Sequence, residues 1–258
     1  MTVLFTIENG VARVTIDRPD RMNAVDAATA DELEHIWQAI EADASVRCVV
    51  LTGSGSRAFS AGADLKSDSG KSGLEYWAAA SINGFGGIAC RASLTVPVIA
   101  RVNGLALGGG MEMVLGADIV IAADHVRFGL PEAKVGRLPL DGGMVMLQRL
   151  IPRNIAAGLM MTGRMMSAAD AARYGLVNAV VSEGELDDEV ARWVDDILAC
   201  APLSVKAIKR SIRATAHLSD TDARALKTPE LIHALNSEDS AEGVAAFREK
   251  RPPQWRGK

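Results

Sequence analysis

The sequence is poor in the residues that mark several classes of protein. Only three of its 258 residues are cysteines, namely Cys48, Cys90 and Cys200, and aromatic residues make up 4% of the chain. An odd number of widely spaced cysteines supports neither a disulfide framework nor a zinc knuckle, so we interpret all three as buried, reduced thiols. The four histidines lack the spacing of metal ligands, and no metal site is predicted.

Blocks of like charge and long apolar runs are also missing. The 28 Lys and Arg residues and 32 Asp and Glu residues give a net charge of −4 and are scattered, which argues against a nucleic-acid partner. No apolar run approaches the roughly 18 residues that suggest a bilayer span. The N-terminus lacks a basic segment followed by an apolar one. We therefore expect a cytoplasmic protein without a membrane partner.

What is present is an alternation of strand and helix patterns. Two β-rich runs flank Asn9-Gly10, a dipeptide typical of hairpin turns, so the chain is predicted to begin as an antiparallel pair. Asp26 is predicted to cap a helix. Apolar periodicity then predicts a strand at 47–52, a helix at 76–92, a strand at 96–102, a helix near Met111 and a strand at 119–123. Repeated strand-then-helix order implies an α/β fold.

The second half of the chain is mostly helical in pattern. After about residue 147 the only clear strand signal covers 175–181, whereas amphipathic helices are predicted at 186–198, 203–215 and 241–250. No glycine- or serine-rich linker separates the two parts. We therefore predict an α/β core over 1–195 and a helical C-terminal region over 196–258 that packs on the core or on neighbouring subunits.

Two glycine-rich turns, at 53–64 and 104–110, follow predicted strands. Glycine lets the main chain approach a ligand, and a helix that begins at the turn directs free N–H groups at a negative charge. Neither turn has the Lys and Ser/Thr of a nucleoside-triphosphate loop, and neither reads G-x-G-x-x-G. Tight packing alone is an equally good interpretation of each turn.

Two glutamates lie in apolar surroundings close to these turns. Glu112 follows three glycines at an apolar helix start, and Glu132 follows Pro131. Each alone fits an exposed glutamate at a helix N-terminus. Together, two carboxylates beside glycine-rich main chain are what a reaction needs when an acid and a base act around a stabilised anion.

These residues belong to a set of ordered motifs that resembles the enoyl-CoA hydratase/isomerase (crotonase) superfamily. The match covers nearly the whole chain. The motifs are RPDRMNA (18–24), FSAGADLK (59–66), VNG (102–104), GGGME (108–112), FGLPE (128–132), the glycine pair 142–143, and later segments at 161–164, 171–178, 237–239 and 246–251.

The resemblance implies a spiral of β-β-α turns with a C-terminal helical trimerisation region, and a homotrimer or dimer of trimers. It implies an acyl-CoA substrate and the reversible hydration of a 2-enoyl-CoA thioester. The N–H groups of Ala63 and Gly109 would form an oxyanion hole. Glu112 would activate water and Glu132 would deliver or remove the Cα proton.

The resemblance also assigns contacts with CoA and leaves no role for a separate cofactor, since CoA is part of the substrate. The residues at the CoA-contacting motifs, mostly through the main chain, are Arg21, Ala24, Ala61, Asp64, Leu65 and Lys66. Phe247 and Lys250 would close the CoA site across a subunit boundary.

The sequence departs from the family pattern after Glu132. Leu140 stands where some relatives carry a catalytic acid, and Asp141 follows it. We interpret Asp141 as the cap of the next helix, with a third active-site carboxylate as the alternative. The segment 130–134 and the C-terminal residues also resemble carnitinyl-CoA dehydratases. Carnitinyl-CoA dehydration, double-bond isomerisation and a noncatalytic acyl-CoA-binding subunit therefore remain alternatives to hydration.

Overall fold

The computed structural model describes residues 1–64, 66–67, 70 and 72–258. Its strands are β1 (Val3–Glu8), β2 (Val11–Ile16), β3 (Cys48–Gly53), β4 (Ala58–Ser60), β5 (Val98–Val102), β6 (Leu105–Leu107), β7 (Ile119–Ala123), β8 (Arg127–Gly129), β9 (Met165–Ser167) and β10 (Ala179–Val181). Its α-helices are α1 (Ala27–Ala42), α2 (Gly73–Ala78), α3 (Gly109–Gly116), α4 (Gly143–Leu150), α5 (Arg153–Thr162), α6 (Ala168–Arg173), α7 (Leu186–Ala199), α8 (Pro202–Thr215), α9 (Asp220–Ala225), α10 (Pro229–Leu235) and α11 (Glu238–Glu249).

The N-terminal hairpin and the first helix form as predicted. β1 pairs with β2 in antiparallel register, and Asn9 and Gly10 take the positive φ values, 51° and 81°, that the tight turn needs. Asp26 caps α1, because its side chain accepts a hydrogen bond of 2.9 Å from the N–H of Thr29.

The strands form two sheets, and successive strands from β3 to β8 alternate between them. A six-stranded sheet has the order β1-β2-β3-β5-β7-β10, and a four-stranded sheet has the order β4-β6-β8-β9. The pairs β3–β4, β5–β6 and β7–β8 each contribute one strand to each sheet, and α3 follows β6. All neighbours are parallel except β1–β2 and β8–β9. This arrangement confirms the predicted spiral of β-β-α turns.

A buried core surrounds α3, which packs against β4, β6 and α4. Every residue of α3 is buried, as expected for a helix that is apolar on all sides. On one side of the core lie Leu33 and Trp37 of α1, and the Trp37 indole N–H donates a 2.8 Å hydrogen bond to the Gly86 carbonyl. The start of α3 is therefore held in a dense environment in which small displacements are costly.

The prediction of a helix at 76–92 is wrong. α2 ends at Ala78, and only a short 3-10 turn, Phe85–Gly87, follows. Gly84, Gly86 and Gly87 have φ values of 68°, 60° and 68°, which a right-handed helix does not contain. The apolar spacing of this segment belongs instead to an irregular chain that packs against α1 and α3.

The C-terminal helices form close to their predicted bounds, as α7, α8 and α11. The predicted strand at 175–181 is shorter, and β9 was not predicted. Lys209 on α8 is buried and donates 2.7 Å hydrogen bonds to the Val96 carbonyl and to Asp118. α7 runs across the 195/196 boundary, and the division into a core and a C-terminal region stays a prediction.

The interpretation of the cysteines is correct only for Cys48. All three thiols are free, but Cys90 and Cys200 are exposed and Cys48 alone is buried. Cys90 and Cys200 follow apolar residues at the ends of segments, where the local sequence does not determine the direction of the side chain. In the part of the chain that is described, no helix has both the length and the apolar character to cross a membrane.

Candidate active site

Two main-chain turns meet at the carboxyl ends of β4 and β6. Gly62 has a φ of 84°, and a Cβ at this position would lie 2.8 Å from the N atom of Gly109. Only glycine allows the two turns to approach this closely. Among the described residues, none accepts a hydrogen bond from the N–H of Ala63 or of Gly109. Two N–H donors on adjacent turns are the components of an oxyanion hole.

The start of α3 is fixed by a second close contact. A Cβ at Gly110 would lie 2.1 Å from the carbonyl oxygen of Ser60, which is far inside contact distance. Ser60 is itself fully buried, and its hydroxyl accepts a 3.1 Å hydrogen bond from the N–H of Gly62. The main chain around both candidate donors is therefore held by close glycine packing together with the buried Ser60 hydroxyl.

Glu112 lies in the first turn of α3 and is 3% exposed. Its Oε1 accepts a 2.9 Å hydrogen bond from the N–H of Gly143 at the start of α4. Burial, together with the neighbouring charges of Asp141 and Glu132, raises the pKa of Glu112 to about 7, against the opposing effect of the Gly143 hydrogen bond. Glu112 is thus able to gain and lose a proton near neutral pH.

Glu132 begins the 3-10 turn Glu132–Val135 and is half-buried. A Cβ at Gly108 would lie 3.1 Å from Glu132 Oε1, so this carboxylate is next to the residue that precedes α3. Burial raises the pKa of Glu132 as well. Its Oε2 is buried and has no hydrogen-bond partner among the residues that the structure describes. A buried carboxylate oxygen without a partner is a feature of a site that a ligand completes.

The interpretation of Asp141 as a helix cap is wrong. Gly142 occupies the cap position of α4, without a side-chain cap, because its φ of 117° suits only glycine. The Asp141 carboxylate is 7% exposed and accepts a 2.5 Å hydrogen bond from the Tyr76 hydroxyl. Its charge raises the pKa of Glu112. Asp141 is therefore a third carboxylate beside the two glutamates, and like Glu112 it is buried.

The proposed CoA-contacting turns are joined by one arginine. The Arg18 guanidinium lies 2.7 Å from an Asp26 carboxylate oxygen and 3.2 Å from one of Asp64, and it donates a hydrogen bond to the Ala24 carbonyl. Ala24 is buried, and the N–H of Ala61 donates a 2.9 Å hydrogen bond to the Met22 carbonyl. Ala24, Ala61 and Asp64 thus lie in one continuous surface beside Ala63.

The remaining CoA-contact candidates are less closely connected. Arg21 and Lys66 are exposed, and Leu65 lies outside the described residues. Phe247 is 86% exposed on α11, and Lys250 ends that helix with a left-handed φ of 55°. The role of Phe247 and Lys250 at a subunit boundary stays a prediction, because the structure contains one chain.

Three residues near the site were not recognised from the sequence. Arg18 joins the two CoA-contact turns, and Tyr76 bonds Asp141. Asn23 is buried with a φ of 53°, and its amide donates to the carbonyls of Ser54 and Ala58 at 3.0 and 2.7 Å. Asparagine is tolerated in the left-handed region, so its place in the 18–24 motif was a usable signal.

Comparisons with known proteins identify the family of this chain. The family model described as enoyl-CoA hydratase/isomerase matches residues 6–258. The chain is 40% identical over 257 residues to "Carnitinyl-CoA dehydratase" of Proteus mirabilis (strain HI4320), covering 98% of this chain and 97% of that protein. It is 39% identical over 257 residues, with the same two coverages, to the protein of that name from Escherichia coli (strain K12).

Solved structures extend the match to the whole fold. A crystal structure of enoyl-CoA hydratase from Mycobacterium tuberculosis H37Rv has a TM-score of 0.91 and 35% identity, covering 100% of this chain and 99% of that one. One from Bacillus anthracis has a TM-score of 0.93 and 32% identity, covering 100% of both chains. The chain belongs to the enoyl-CoA hydratase/isomerase family, with the crotonase fold, and is an enzyme of the hydro-lyase kind.

Proposed function

We propose that this enzyme reversibly hydrates a 2-enoyl-CoA thioester through an enolate, with Glu112 and Glu132 as the acid and base. The observation that carries this proposal is the placement of the buried Glu112 and the half-buried Glu132 around the start of α3, beside the N–H groups of Ala63 and Gly109. Family membership supports hydration and dehydration of CoA thioesters as the reaction class.

Each group then has a defined task. The N–H groups of Ala63 and Gly109 hold the thioester oxygen and stabilise the negative charge that develops on it. During hydration, Glu112 takes a proton from the water whose oxygen bonds to Cβ, and Glu132 donates a proton to Cα. Dehydration reverses both transfers. This chemistry requires no cofactor beyond the CoA of the substrate.

A bell-shaped dependence of kcat/KM on pH is expected. Hydration needs Glu112 ionised and Glu132 protonated, and dehydration needs the reverse, so the active pair carries one proton in both directions. Activity therefore falls when the pair carries two protons or none. Because the pKa of Glu112 is raised to about 7, the alkaline limb is expected near neutral pH. Initial rates with crotonyl-CoA across this range test it, and a flat profile contradicts a shared proton.

A comparison of substrates tests the proposed reaction itself. The purified enzyme is expected to remove the conjugated absorbance of crotonyl-CoA and to give a product heavier by one water in mass spectrometry. The same assay with a long-chain 2-enoyl-CoA shows how the acyl length is selected. If a 3-enoyl-CoA is converted to the 2-enoyl isomer but water is never added, the enzyme is an isomerase and the proposal is wrong.

Dehydration of carnitinyl-CoA is the second candidate, and one feature of the site favours it. In the described part of the chain, no lysine, arginine or histidine forms an ion pair with Glu112, Glu132 or Asp141. These three carboxylates, of which Glu112 and Asp141 are buried and Glu132 is half-buried, create a negative potential that a quaternary ammonium group on the acyl chain offsets. A kcat/KM for carnitinyl-CoA well above that for its uncharged 3-hydroxybutyryl counterpart would support this candidate.

Further parts of the proposal concern the CoA moiety and the assembly. Arg21, Ala24, Ala61, Asp64, Leu65 and Lys66 are proposed to bind CoA, mostly through the main chain. Phe247 and Lys250 are proposed to close this site from a neighbouring subunit of a homotrimer or a dimer of trimers. The exposure of the Phe247 ring supports this arrangement, since a large apolar side chain gains from being covered.

A further inference from the structure

Asp141, which is buried, and its partner Tyr76, which is 40% exposed, lie next to Glu112 and have no task in the mechanism above. Asp141 directly precedes Gly142 and Gly143, and the N–H of Gly143 donates the 2.9 Å hydrogen bond to Glu112. The segment that carries the Asp141 charge is therefore the one that holds Glu112. The Tyr76 hydroxyl, on α2, donates a 2.5 Å hydrogen bond to Asp141 Oδ2.

The hydrogen bond from Tyr76 favours the ionised form of Asp141. Burial raises the pKa of Asp141, and the bond from the Tyr76 hydroxyl opposes this change, because it stabilises the carboxylate and not the acid. Tyr76 itself remains protonated, since burial and the neighbouring Asp141 charge raise its pKa. The negative charge of Asp141 therefore acts on Glu112.

Over residues 1–64, 66–67, 70 and 72–258, no cation forms an ion pair with Asp141 or with Glu112. The described titratable groups that face Glu112 are Asp141 before α4, Glu132 on its 3-10 turn, Tyr76 on α2 and Cys90. The Cys90 thiol donates to the Asp141 carbonyl at 3.1 Å, and burial together with Asp141 and Glu112 raises its pKa, so it stays neutral. The Asp141 charge raises the pKa of Glu112, whereas burial is the only cause that raises the pKa of Glu132. The Asp141 charge thus distinguishes between the two glutamates.

We propose that Asp141, held by the Tyr76 hydroxyl, is a positioning residue whose negative charge keeps the shared proton of the catalytic pair on Glu112. This inference rests on the proposed function. With the proton on Glu112 and Glu132 ionised, the resting pair is prepared for dehydration: Glu112 donates to the leaving hydroxyl group and Glu132 removes the Cα proton. Hydration starts from the other arrangement, in which the proton has moved to Glu132.

The pH profile of full-length variants tests this role. Asp141→Asn is expected to move the alkaline limb of kcat/KM to lower pH by about one pH unit, because one nearby negative charge is removed. Tyr76→Phe is expected to move it in the same direction by less, since Asp141 is then less fully ionised. Asp141→Glu retains the charge and is expected to restore the wild-type limb. All variants are assayed with crotonyl-CoA, so the ionisations of the substrate itself cancel.

A control variant and a second readout separate this electrostatic role of Asp141 from a structural one. Asp195→Asn removes one negative charge from an exposed position on α7 and is expected to leave the limb unchanged. A structural role for Asp141 lowers kcat or thermal stability without moving the limb. If Asp141→Asn does not fold, Tyr76→Phe carries the test, because α2 contains no buried residue.

An infrared titration of the Glu112 carboxyl group makes the result independent of turnover. The band is identified by its loss in Glu112→Gln, and its midpoint is expected at lower pH in Asp141→Asn than in the wild type. Unchanged midpoints in folded Asp141→Asn and Tyr76→Phe overturn the inference. A wild-type enzyme that does not hydrate crotonyl-CoA or dehydrate carnitinyl-CoA contradicts the proposed function instead, while the infrared midpoints still decide the role of Asp141.

Discussion

Glu112→Gln is expected to lower kcat/KM for crotonyl-CoA hydration by about 10²–10⁴-fold, and Glu132→Gln by a similar factor. Glutamine keeps the shape of the side chain and its ability to accept the Gly143 hydrogen bond, but it cannot take up or release a proton in this range. The loss is expected mainly in kcat, because proton transfer contributes to the transition state and little to binding. Initial rates at several crotonyl-CoA concentrations measure it.

Binding of a substrate analogue separates chemistry from affinity. Butyryl-CoA has no double bond and is not hydrated, so calorimetric titration with it is expected to give a Kd for both variants close to that of the wild type. Glu183→Gln, the same exchange at an exposed glutamate, is the matched control and is expected to leave the rate unchanged. Wild-type turnover in either active-site variant contradicts the assignment.

Gly110→Ala is expected to lower the free energy of unfolding by about 3 kcal/mol or more, and to reduce activity even in the folded fraction. The added Cβ would lie 2.1 Å from the Ser60 carbonyl oxygen, so main chain and not a flexible side chain must move. That displacement shifts the Gly109 N–H and the first turn of α3, which carries Glu112. A misplacement of about 1 Å can cost about 100-fold in rate.

A second helical glycine supplies the comparison. Gly158 in α5 has no atom within 4 Å of a Cβ built there, so Gly158→Ala is expected to be neutral or to stabilise by up to about 1 kcal/mol. Urea unfolding of the wild type and both variants gives the free energies, and kcat per folded enzyme gives the second effect. Equal midpoints for the two variants would contradict the packing explanation for Gly110.

The regular elements were predictable where a single local pattern determined them. The Asn9-Gly10 turn, the Asp26 cap and the apolar runs of β3, β5 and β7 each had one favourable conformation. The segment after Tyr76 was different, because its apolar periodicity favoured a helix while its glycines favoured turns. The glycine φ values show that the turns prevailed. β9 has only three residues, which is too short for alternation to identify a strand.

The candidate site was predictable in its residues more than in its interactions. Glu112, Glu132 and the glycine-rich turns were visible because carboxylates and glycines are unusual in apolar segments. Asp141 was misinterpreted because a cap and a buried carboxylate have the same sequence, Asp before a helix start. Its partner Tyr76 lies 65 positions away, and only the folded chain brings the hydroxyl to the carboxylate.

The close contact of Gly62 with Gly109 has a consequence for how such an enzyme can diverge during evolution. The two candidate donors are main-chain N–H groups, so every substitution at Ala63 except proline leaves the donor in place, and otherwise only a change of chain path removes it. The groups next to Glu112, such as Tyr76 and Asp141, are side chains that a single amino-acid substitution can replace. Selection can therefore alter the charges around Glu112 many times while the same main-chain N–H donors are inherited.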